Sequence, residues 1–221
     1  PYVGSGVAAG AIGMDKWATK LVAEAVGVAT APGRLLTAAT APAYHWTGPV
    51  VVKPVAAGSS RGVTLVDDPE ELESALAAAL ALDSRILVED VVVGSEVDIS
   101  VLARPGGGRI VSPPLEIVTD GVFDYEQKYG GRAEFVLPAP LPEPALKELE
   151  DAAVAVFDAL GCSGLARVDF FRTDDGWVFN EINTMPGFTE ASQAPKMFAA
   201  AGLPYPALLD LLVRDAMAGP A

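Results

Sequence analysis

Two apolar segments joined by a short turn limit the possible folds of this chain more than any other feature. Residues 164–172 and 176–182 are rich in Val, Phe and other strand-forming residues, and they are connected by Thr173-Asp174-Asp175-Gly176. A polar turn of this length between two apolar runs is typical of a β-hairpin. The sequence therefore predicts an antiparallel strand pair, against which the rest of the chain has to pack.

The hairpin carries oxygen-bearing side chains near its end. Glu181 and Asn183 are two residues apart, so they face the same side of a strand, and Asp169 on the partner strand is expected beside them. Carboxylate and amide oxygens are ligands that a hard cation such as Mg²⁺ takes, often together with substrate phosphates. The alternative is that all three are solvated polar positions. Burying Arg167 and Asp169 among apolar neighbours would be costly without partners, which favours a site.

Helices and strands alternate along the rest of the chain. Asp15 precedes apolar residues at helical spacing and Gly27 follows them, which predicts a capped helix over 15–27. Propensity and pattern predict further helices over 69–82, over 143–160 and from about 192, and strands over 50–54, 85–91, 95–104 and 109–118. Residues 119–141 interrupt this pattern with charges, glycines and prolines, and a connection of this length is expected to form a lid.

The composition excludes several classes of protein. The chain has 221 residues, 51% of them apolar, and can fold around one large core or two smaller ones. The net charge of −14 comes from scattered acids without a basic stretch, which argues against nucleic-acid and membrane partners. The single cysteine, Cys162, has apolar neighbours and is expected to be a buried thiol. Because one cysteine allows no internal disulfide, we expect a cytoplasmic protein, and the chain has neither a long apolar run nor a signal-peptide start.

Two connections are candidates for nucleotide binding. Residues 58–62, which include two glycines and two serines, follow a strand that ends in Lys53, and small residues let backbone N–H groups approach a phosphate. The loop lacks the Lys-Ser/Thr ending of a Walker loop, and Lys53 or Lys16 taken alone is more often a solvated surface lysine. Segment 86–96 has acids near both ends, which fits either a hinge that contacts a purine and a ribose or an ordinary strand connection.

Six blocks of sequence occur in an order that points to a known family. The blocks are Gly4-Ser5-Gly6-Val7 with Met14-Asp15-Lys16, Val52-Lys53-Pro54 with Gly58-Ser59-Ser60 and Gly62, Glu89 to Glu96, Asp124-Tyr125-Glu126-Gln127-Lys128-Tyr129, Gly164-Leu165-Ala166-Arg167-Val168-Asp169, and Asn180-Glu181-Ile182-Asn183-Thr184-Met185-Pro186-Gly187. Together they resemble the ATP-grasp family, and most closely its D-alanine:D-alanine ligases. The resemblance implies an α+β fold in which two subdomains hold the nucleotide between them. It assigns residues 1–13 to an initial segment, 14–94 to a central subdomain and 95–221 to a C-terminal subdomain with a lid over about 119–138.

The resemblance also implies a role for individual residues around ATP. The expected contacts are Lys16, Lys53 and Lys128 with the phosphates, Ser60 with the nucleotide, Glu89 and the Val92 backbone with the adenine, and Glu96 with the ribose hydroxyls. Two Mg²⁺ ions, or Mn²⁺ in their place, are expected on Asp169, Glu181 and Asn183, with Glu181 bridging them.

A second group of residues is implied for the chemistry and its substrates. Arg167 and the Gly187 backbone N–H would stabilise a tetrahedral oxyanion, Ser59 and the lid residue Tyr129 are assigned to catalysis, and Ser192 and Gln193 to the second substrate. In this family the carboxylate of a first D-alanine is phosphorylated, and the amine of a second attacks the acyl phosphate and expels phosphate. The implied function is ADP-forming ligation for peptidoglycan synthesis, in an enzyme that is commonly a homodimer. Tyr129 favours the dipeptide, because the ligases that make D-alanyl-D-lactate use a histidine in this neighbourhood.

The chain departs from the family at its start. The family has an N-terminal domain that supplies a glutamate and a histidine for the first D-alanine, and this chain begins after it. We therefore expect a ligase without that domain, or else a short relative with another substrate. Another ATP-grasp ligase, which would use D-lactate, D-serine or an antibiotic-pathway amino acid, and a nucleotide-binding module without catalysis remain alternatives. Gln193 stands where an apolar residue or lysine is common in the family.

Overall fold

Two antiparallel sheets form the framework of this computed structural model, which describes residues 1–118 and 134–218. The smaller sheet has the strand order β1-β4-β2-β3, and the larger has the order β10-β9-β5-β7-β8 with β6 paired to β5. The strands of the smaller sheet are β1 (Gly33–Thr37), β2 (Val50–Pro54), β3 (Thr64–Val66) and β4 (Arg85–Asp90). Those of the larger sheet are β5 (Ser95–Ala103), β6 (Arg109–Val111), β7 (Leu115–Val118), β8 (Glu134–Val136), β9 (Leu165–Thr173) and β10 (Gly176–Asn183).

Helices accompany both sheets in the described ranges. They are α1 (Val7–Met14), α2 (Lys16–Ala25), α3 (Leu72–Leu80), α4 (Glu143–Ala159), α5 (Gln193–Ala200) and α6 (Tyr205–Ala218). Asp15 begins α2 as predicted, because its side chain accepts a hydrogen bond of 2.9 Å from the backbone N–H of Ala18. Within these ranges no single helix is long and apolar enough to cross a membrane; only α5 and α6 together meet that test, and they are bent by 104°.

The larger sheet buries one face against helices α2 and α4. Val97, Ile99, Val168 and Phe170 alternate with polar residues along β5 and β9, and they form one hydrophobic cluster with buried side chains of both helices, such as Phe157. Burial of each such large side chain contributes roughly 1.5–3 kcal/mol. This packing fixes the register of the strands, so that the polar residues between the apolar ones all point to the opposite face.

The smaller sheet has its own hydrophobic cluster. Buried valines and isoleucine of β2 and β4, including Val52 and Ile86, pack with Leu76 and Ala79 of α3. The two sheets thus bury separate cores, which confirms the expected α+β arrangement of two subdomains. The exact boundary predicted at residue 94 stays a prediction, because helix α2 packs against β10 of the larger sheet although it precedes the smaller one.

Several elements differ from the sequence-based prediction. The single strand predicted over 109–118 is wrong: the segment Ser112-Pro113-Pro114 separates β6 from β7. Proline has no N–H group to donate to a sheet, so it interrupts the ladder. Helix α1 was missed because Gly10 and Gly13 lower the helix propensity of its sequence. The helix predicted over 69–82 begins as a 3₁₀ turn, Pro69–Glu71, before α3.

Two further expectations concern the lid and the cysteine. Strand β8 lies inside the predicted lid of about 119–138 and pairs with β7, so the described end of that region belongs to the sheet. Residues 119–133 lie outside the described residues. Cys162 is buried as predicted, and burial raises the pKa of its thiol, which makes it a poor nucleophile.

Candidate active site

An irregularity in the hairpin β9–β10 sets the direction of its polar side chains. Phe179 pairs with Phe170 and Glu181 pairs with Asp169, so Asn180 is an extra residue and forms a β-bulge. Phe179 therefore packs in the hydrophobic cluster, although it is two residues from Glu181, which lies on the opposite face. Beyond the bulge the two-residue period holds as predicted.

Arg167 and Asp169 form the centre of this polar face. The Arg167 Nε and Nη2 donate to the two carboxylate oxygens of Asp169, both at 2.7 Å, and Asn183 Nδ2 donates to Asp169 Oδ2 at 3.1 Å. Asp169 is fully buried, so these partners compensate the loss of water that made burial costly. The predicted convergence of Asp169 and Asn183 is therefore present, and Glu181 is the register partner of Asp169.

Further acids on the neighbouring strand surround Arg167. Asp98, which the sequence analysis did not single out, is buried and places Oδ2 3.4 Å from Arg167 Nε. Burial alone would lower the pKa of the Arg167 guanidinium, but Asp169, Asp98 and Glu181 outweigh burial and raise that pKa. Arg167 is therefore a permanent positive charge held among carboxylates. Asp98 follows Glu96 by two residues on one strand face, and this spacing was the signal that could have identified it.

The chemistry of the donor set fits a divalent cation. Asp169, Glu181 and Asn183 offer two carboxylates and one amide on adjacent positions of one sheet face, and a carboxylate oxygen has lone pairs for both an arginine and a cation. Glu96, Asp98 and Asp169 form a second group whose carboxylate oxygens lie within 4.8 Å of one another. Glu181, which belongs to the first group, also contacts Lys16 Nζ at 3.3 Å.

A cavity of about 760 Å³ opens between the two sheets and contains most residues predicted to bind nucleotide. Its lining includes Lys16, Lys53, Ser59, Ser60, Glu89, Val92, Glu96 and Glu181. Its volume lies in the range of small-molecule sites, about 300–1,000 Å³. These residues come from four separate regions of the sequence, and the fold brings them to a single cavity.

The small-residue loop forms one wall of this cavity in an unusual backbone conformation. Ser59 and Ser60 have positive φ angles of 55° and 51°, which side-chain-bearing residues rarely adopt. Such strain concentrates at functional sites, and the surrounding structure has to maintain it. Lys16 Nζ donates to the backbone oxygen of Ala57 at 2.7 Å, so the predicted phosphate lysine also holds this loop.

A buried ion triad of Lys20, Glu89 and Lys53 lies at the base of the cavity. The Glu89 carboxylate pairs with Lys20 Nζ through one oxygen and with Lys53 Nζ through the other. Burial by itself would raise the pKa of Glu89, but Lys53 and Lys20 outweigh burial and lower that pKa. The Glu89 side chain predicted for adenine is thus engaged by two lysines. Lys20 was missed, and its only signal is its position one helical turn after Lys16.

A second cavity, of about 580 Å³, contains the residues predicted for the second substrate and the oxyanion. It is lined by Arg167, Gly187, Ser192 and Gln193, together with Lys196, which the sequence analysis did not single out. Gln193 Oε1 accepts a hydrogen bond of 2.6 Å from Arg167 Nη1. Two cationic side chains on one cavity favour an anionic ligand.

The N-terminus of α5 opens toward this second cavity. Ser192 occupies the N-cap position, but its hydroxyl makes no capping bond and instead accepts from the Thr189 backbone N–H at 3.0 Å. The first N–H groups of the helix therefore have no side-chain cap, and helix N-termini of this kind bind anions. Gly187 approaches Ser192 so closely that an added Cβ would lie 3.3 Å from Ser192 Oγ. The remaining two predicted site residues, Lys128 and Tyr129, lie outside the described residues.

Comparison with known proteins connects these features to one group of enzymes. Residues 36–214 match the protein family described as D-ala D-ala ligase C-terminus. A D-alanine–D-alanine ligase of Corynebacterium aurimucosum is 43% identical over 99% of this chain and 64% of that relative. One of Mycolicibacterium smegmatis is 44% identical over 99% of this chain and 62% of that relative. The chain thus spans less than two thirds of the length of these relatives.

Solved structures give the same grouping. The VanG D-Ala:D-Ser ligase from Enterococcus faecalis has a TM-score of 0.88 and 36% identity, covering 97% of this chain and 65% of that chain. The D-alanine–D-alanine ligase from Bacillus anthracis complexed with ATP has a TM-score of 0.81 and 29% identity, covering 98% of this chain and 70% of that chain. The two-sheet architecture described above is therefore the ATP-grasp fold.

Proposed function

Since the chain belongs to the D-ala D-ala ligase C-terminus family, we propose that it binds ATP and carries the catalytic residues of a ligase that joins two D-alanine molecules. The product would serve peptidoglycan precursor synthesis. One observation carries the proposal: a single polar strand face borders both cavities. Glu181 lines the larger cavity, Arg167 lines the smaller one, and Asp169 is bonded to Arg167 and is the register partner of Glu181.

The larger cavity is the proposed ATP site. Lys16, Lys53 and the loop with Ser59 and Ser60 line one part of it, and cations with backbone N–H groups are what phosphates require. Val92, in the connection between β4 and β5, and Glu96, near the start of β5, line the part of the cavity where the adenine and ribose would bind. The family resemblance also assigns Lys128 to the phosphates. The related B. anthracis structure with ATP supports this assignment.

Asp169, Glu181 and Asn183 would hold Mg²⁺, and the family resemblance implies two ions bridged by Glu181, with Mn²⁺ as an alternative. When bound, the metal would neutralise charge on the transferring phosphoryl group. The chain's own contribution is to hold the two carboxylates and the amide on one rigid strand pair. Lys16, 3.3 Å from Glu181, lies where it can bind the same phosphate oxygens.

The smaller cavity is the proposed site of acyl transfer. The carboxylate of the first D-alanine would accept the terminal phosphoryl group, and the amine of the second would then attack the acyl phosphate and expel phosphate. The Arg167 guanidinium and the Gly187 N–H would stabilise the oxyanion formed by this attack. Ser192 with the α5 N-terminus, and Lys196, would bind the carboxylate of the second substrate.

A D-alanine:D-serine ligase is the second candidate, because the VanG enzyme is similar over 97% of this chain. Gln193 lies in the smaller cavity and its amide can hydrogen-bond a hydroxyl, which gives this candidate a physical basis.

Tyr129 favours the dipeptide over D-alanyl-D-lactate. A nucleotide-binding module without catalysis is disfavoured, because such a module does not need Arg167 beside the metal ligands. Homodimer formation is proposed on family resemblance.

The decisive experiment measures substrate-dependent phosphate release from ATP. The chain is joined behind the preceding residues of the C. aurimucosum relative, and the fusion is supplied with D-alanine alone and, in parallel, with D-alanine together with D-serine or with D-lactate. We expect release with D-alanine and formation of the dipeptide. Release only with D-serine as the second substrate would instead establish the second candidate. A folded fusion that releases phosphate with none of the three would contradict the proposed activity.

The metal assignment has its own test in the same fusion. Glu181→Gln keeps the shape of the side chain but removes the charge that binds a cation, so phosphate release should fall by about 100-fold or more. The thermal unfolding midpoint should change little, because Glu181 is only half-buried. Unaltered turnover in this variant would refute the role of Glu181.

A further inference from the structure

We propose that Lys20 is a positioning residue for the phosphates of ATP, acting through Glu89 on Lys53; this inference rests on the proposed nucleotide site. Lys20 does not line the cavity. Lys20 shares the Glu89 carboxylate with Lys53, the lysine that does line the cavity, so its effect on a bound phosphate is indirect.

The three side chains are almost completely removed from water. The exposed fractions of the Lys20, Glu89 and Lys53 side chains are 4%, 7% and 8%. Lys20 lies in the middle of α2, and its Nζ donates both to Glu89 Oε1 and to the backbone oxygen of Ala31, the latter at 2.5 Å. Lys53 Nζ pairs with the other oxygen of Glu89. A buried charge requires partners of this kind, so neither lysine can move away without a cost to Glu89.

The charges of the triad explain why two lysines are needed. Glu89 and Lys53 alone would form a neutral buried pair, and the carboxylate would cancel the attraction of Lys53 for a phosphate. With Lys20 present the triad carries one net positive charge, and the Glu89 carboxylate is divided between two ammonium groups. Lys53 can then attract a phosphate while Glu89 stays compensated by Lys20.

A purely structural role for Lys20 makes a different prediction. Lys20 joins α2, which packs on the larger sheet, to β4 of the smaller sheet through Glu89. If this connection were its whole role, loss of Lys20 would lower stability and would affect adenosine and ATP equally. A role in positioning Lys53 affects only ligands that carry phosphates, so the ratio of the two affinities separates the two cases.

The test compares nucleotide binding by Lys20→Met with that of the unsubstituted chain. The dissociation constant of MgATP is measured by calorimetry and that of adenosine by displacement of ATP. We expect MgATP affinity to fall by about tenfold, the size of effect that removal of one partly shielded charge produces, while adenosine affinity changes less than about twofold. Lys147→Met is the matched control, because Lys147 is an exposed lysine on α4 and its loss changes the net charge equally.

A compensating variant provides a second and independent comparison. Lys20→Met with Glu89→Gln removes one positive and one negative charge, so Lys53 again supplies one net positive charge, and the ratio of ATP to adenosine affinity should recover. This double substitution leaves no unpaired carboxylate, so it also serves if Lys20→Met alone does not fold. Parallel losses for both ligands, or a ratio that does not recover, would overturn the role of Lys20. Failure of the unsubstituted chain to bind MgATP would instead overturn the nucleotide site itself.

Discussion

Arg167 joins three parts of the candidate site through one side chain. Its guanidinium contacts both oxygens of Asp169, the amide oxygen of Gln193 and, at 3.4 Å, the carboxylate of Asp98. These contacts use the planar arrangement of donors that only arginine has, whereas a lysine offers a single point of charge. The position of the guanidinium is therefore fixed before any substrate arrives, as stabilisation of an oxyanion requires.

We predict that Arg167→Lys separates catalysis from nucleotide binding. Because Arg167 lines only the smaller cavity and a lysine keeps a positive charge beside Asp169, MgATP affinity should stay within about twofold, while kcat in the fusion should fall by about 100-fold, the usual effect of losing an oxyanion donor. Kinetics and calorimetry on the same preparation provide both values. Arg172→Lys on the same strand is the matched control. Equal losses in both quantities would contradict the separation of the two sites.

The sequence was enough to place some residues of the candidate site together and not others, for a physical reason. Glu181 and Asn183 share a strand, so local periodicity was enough to place them on one face. Lys20 and Glu89 are 69 positions apart, and their contact depends on how helix α2 and strand β4 come together in the folded chain. No local pattern encodes such a contact, and a lysine inside an amphipathic helix is normally solvated.

The connection between β4 and β5 is the element that joins the two sheets. Residues 91–94 leave the smaller sheet, line the larger cavity and enter the larger sheet at Ser95. Gly94 lies so close to β9 that an added Cβ would be 2.2 Å from the backbone oxygen of Arg172. A backbone atom cannot rotate away as a side chain can, so this close contact fixes the path of the connection.

Gly94→Ala should therefore disturb both stability and nucleotide binding. Relief of the contact requires a backbone shift, which should lower the free energy of unfolding by about 1–3 kcal/mol. The shift also moves the wall of the cavity, so MgATP should bind more weakly. Urea denaturation measures the change in stability, and calorimetry then measures the change in MgATP affinity. Gly48→Ala is the control, since an added Cβ at Gly48 meets no atom within 4 Å. Equal behaviour of the two variants would rule out the close contact as a constraint.

Predictability also differed among elements. Helix α2 and the hairpin β9–β10 followed from a capping residue, a turn and regular periods, all of which act over a few neighbouring positions. The prolines between β6 and β7 divided a run whose apolar character suggested one strand. Helix α1 depends on tertiary packing of Ala9 and Ile12 in the core, which outweighs the low propensity of its glycines.

Lowering the pH has two opposing effects on the stability of the folded protein. The net charge of −14 and a pI of about 4.3 mean that lowering the pH first relieves repulsion among surface acids. The buried triad of Lys20, Glu89 and Lys53 has the opposite effect, because its contribution to stability decreases in acid. The pKa of Glu89 is lower in the folded chain than its usual value of 4.5, so its stabilising contribution is complete above that value and is lost as the pH falls through the folded pKa.

We predict a steeper acid loss of stability in the unsubstituted chain than in the variant with Lys20→Met and Glu89→Gln. Below about pH 4.5 the unfolding free energy of the unsubstituted chain should fall more per pH step, because only this chain must protonate Glu89. Urea denaturation followed by circular dichroism between about pH 3 and pH 6 measures both curves. The surface acids are the same in the two proteins, so parallel curves would refute the contribution of the triad.

The bulge at Asn180 determines which face of β10 each side chain of the candidate site points to. In a regular ladder, residues two positions apart point to the same face, so without this bulge the present sequence could not place Phe179 and Glu181 on opposite faces. The carboxylate would compete with an aromatic ring for the interior of the protein. The irregular pairing at Asn180 therefore keeps the Glu181 carboxylate on the polar face only two residues after a buried aromatic ring.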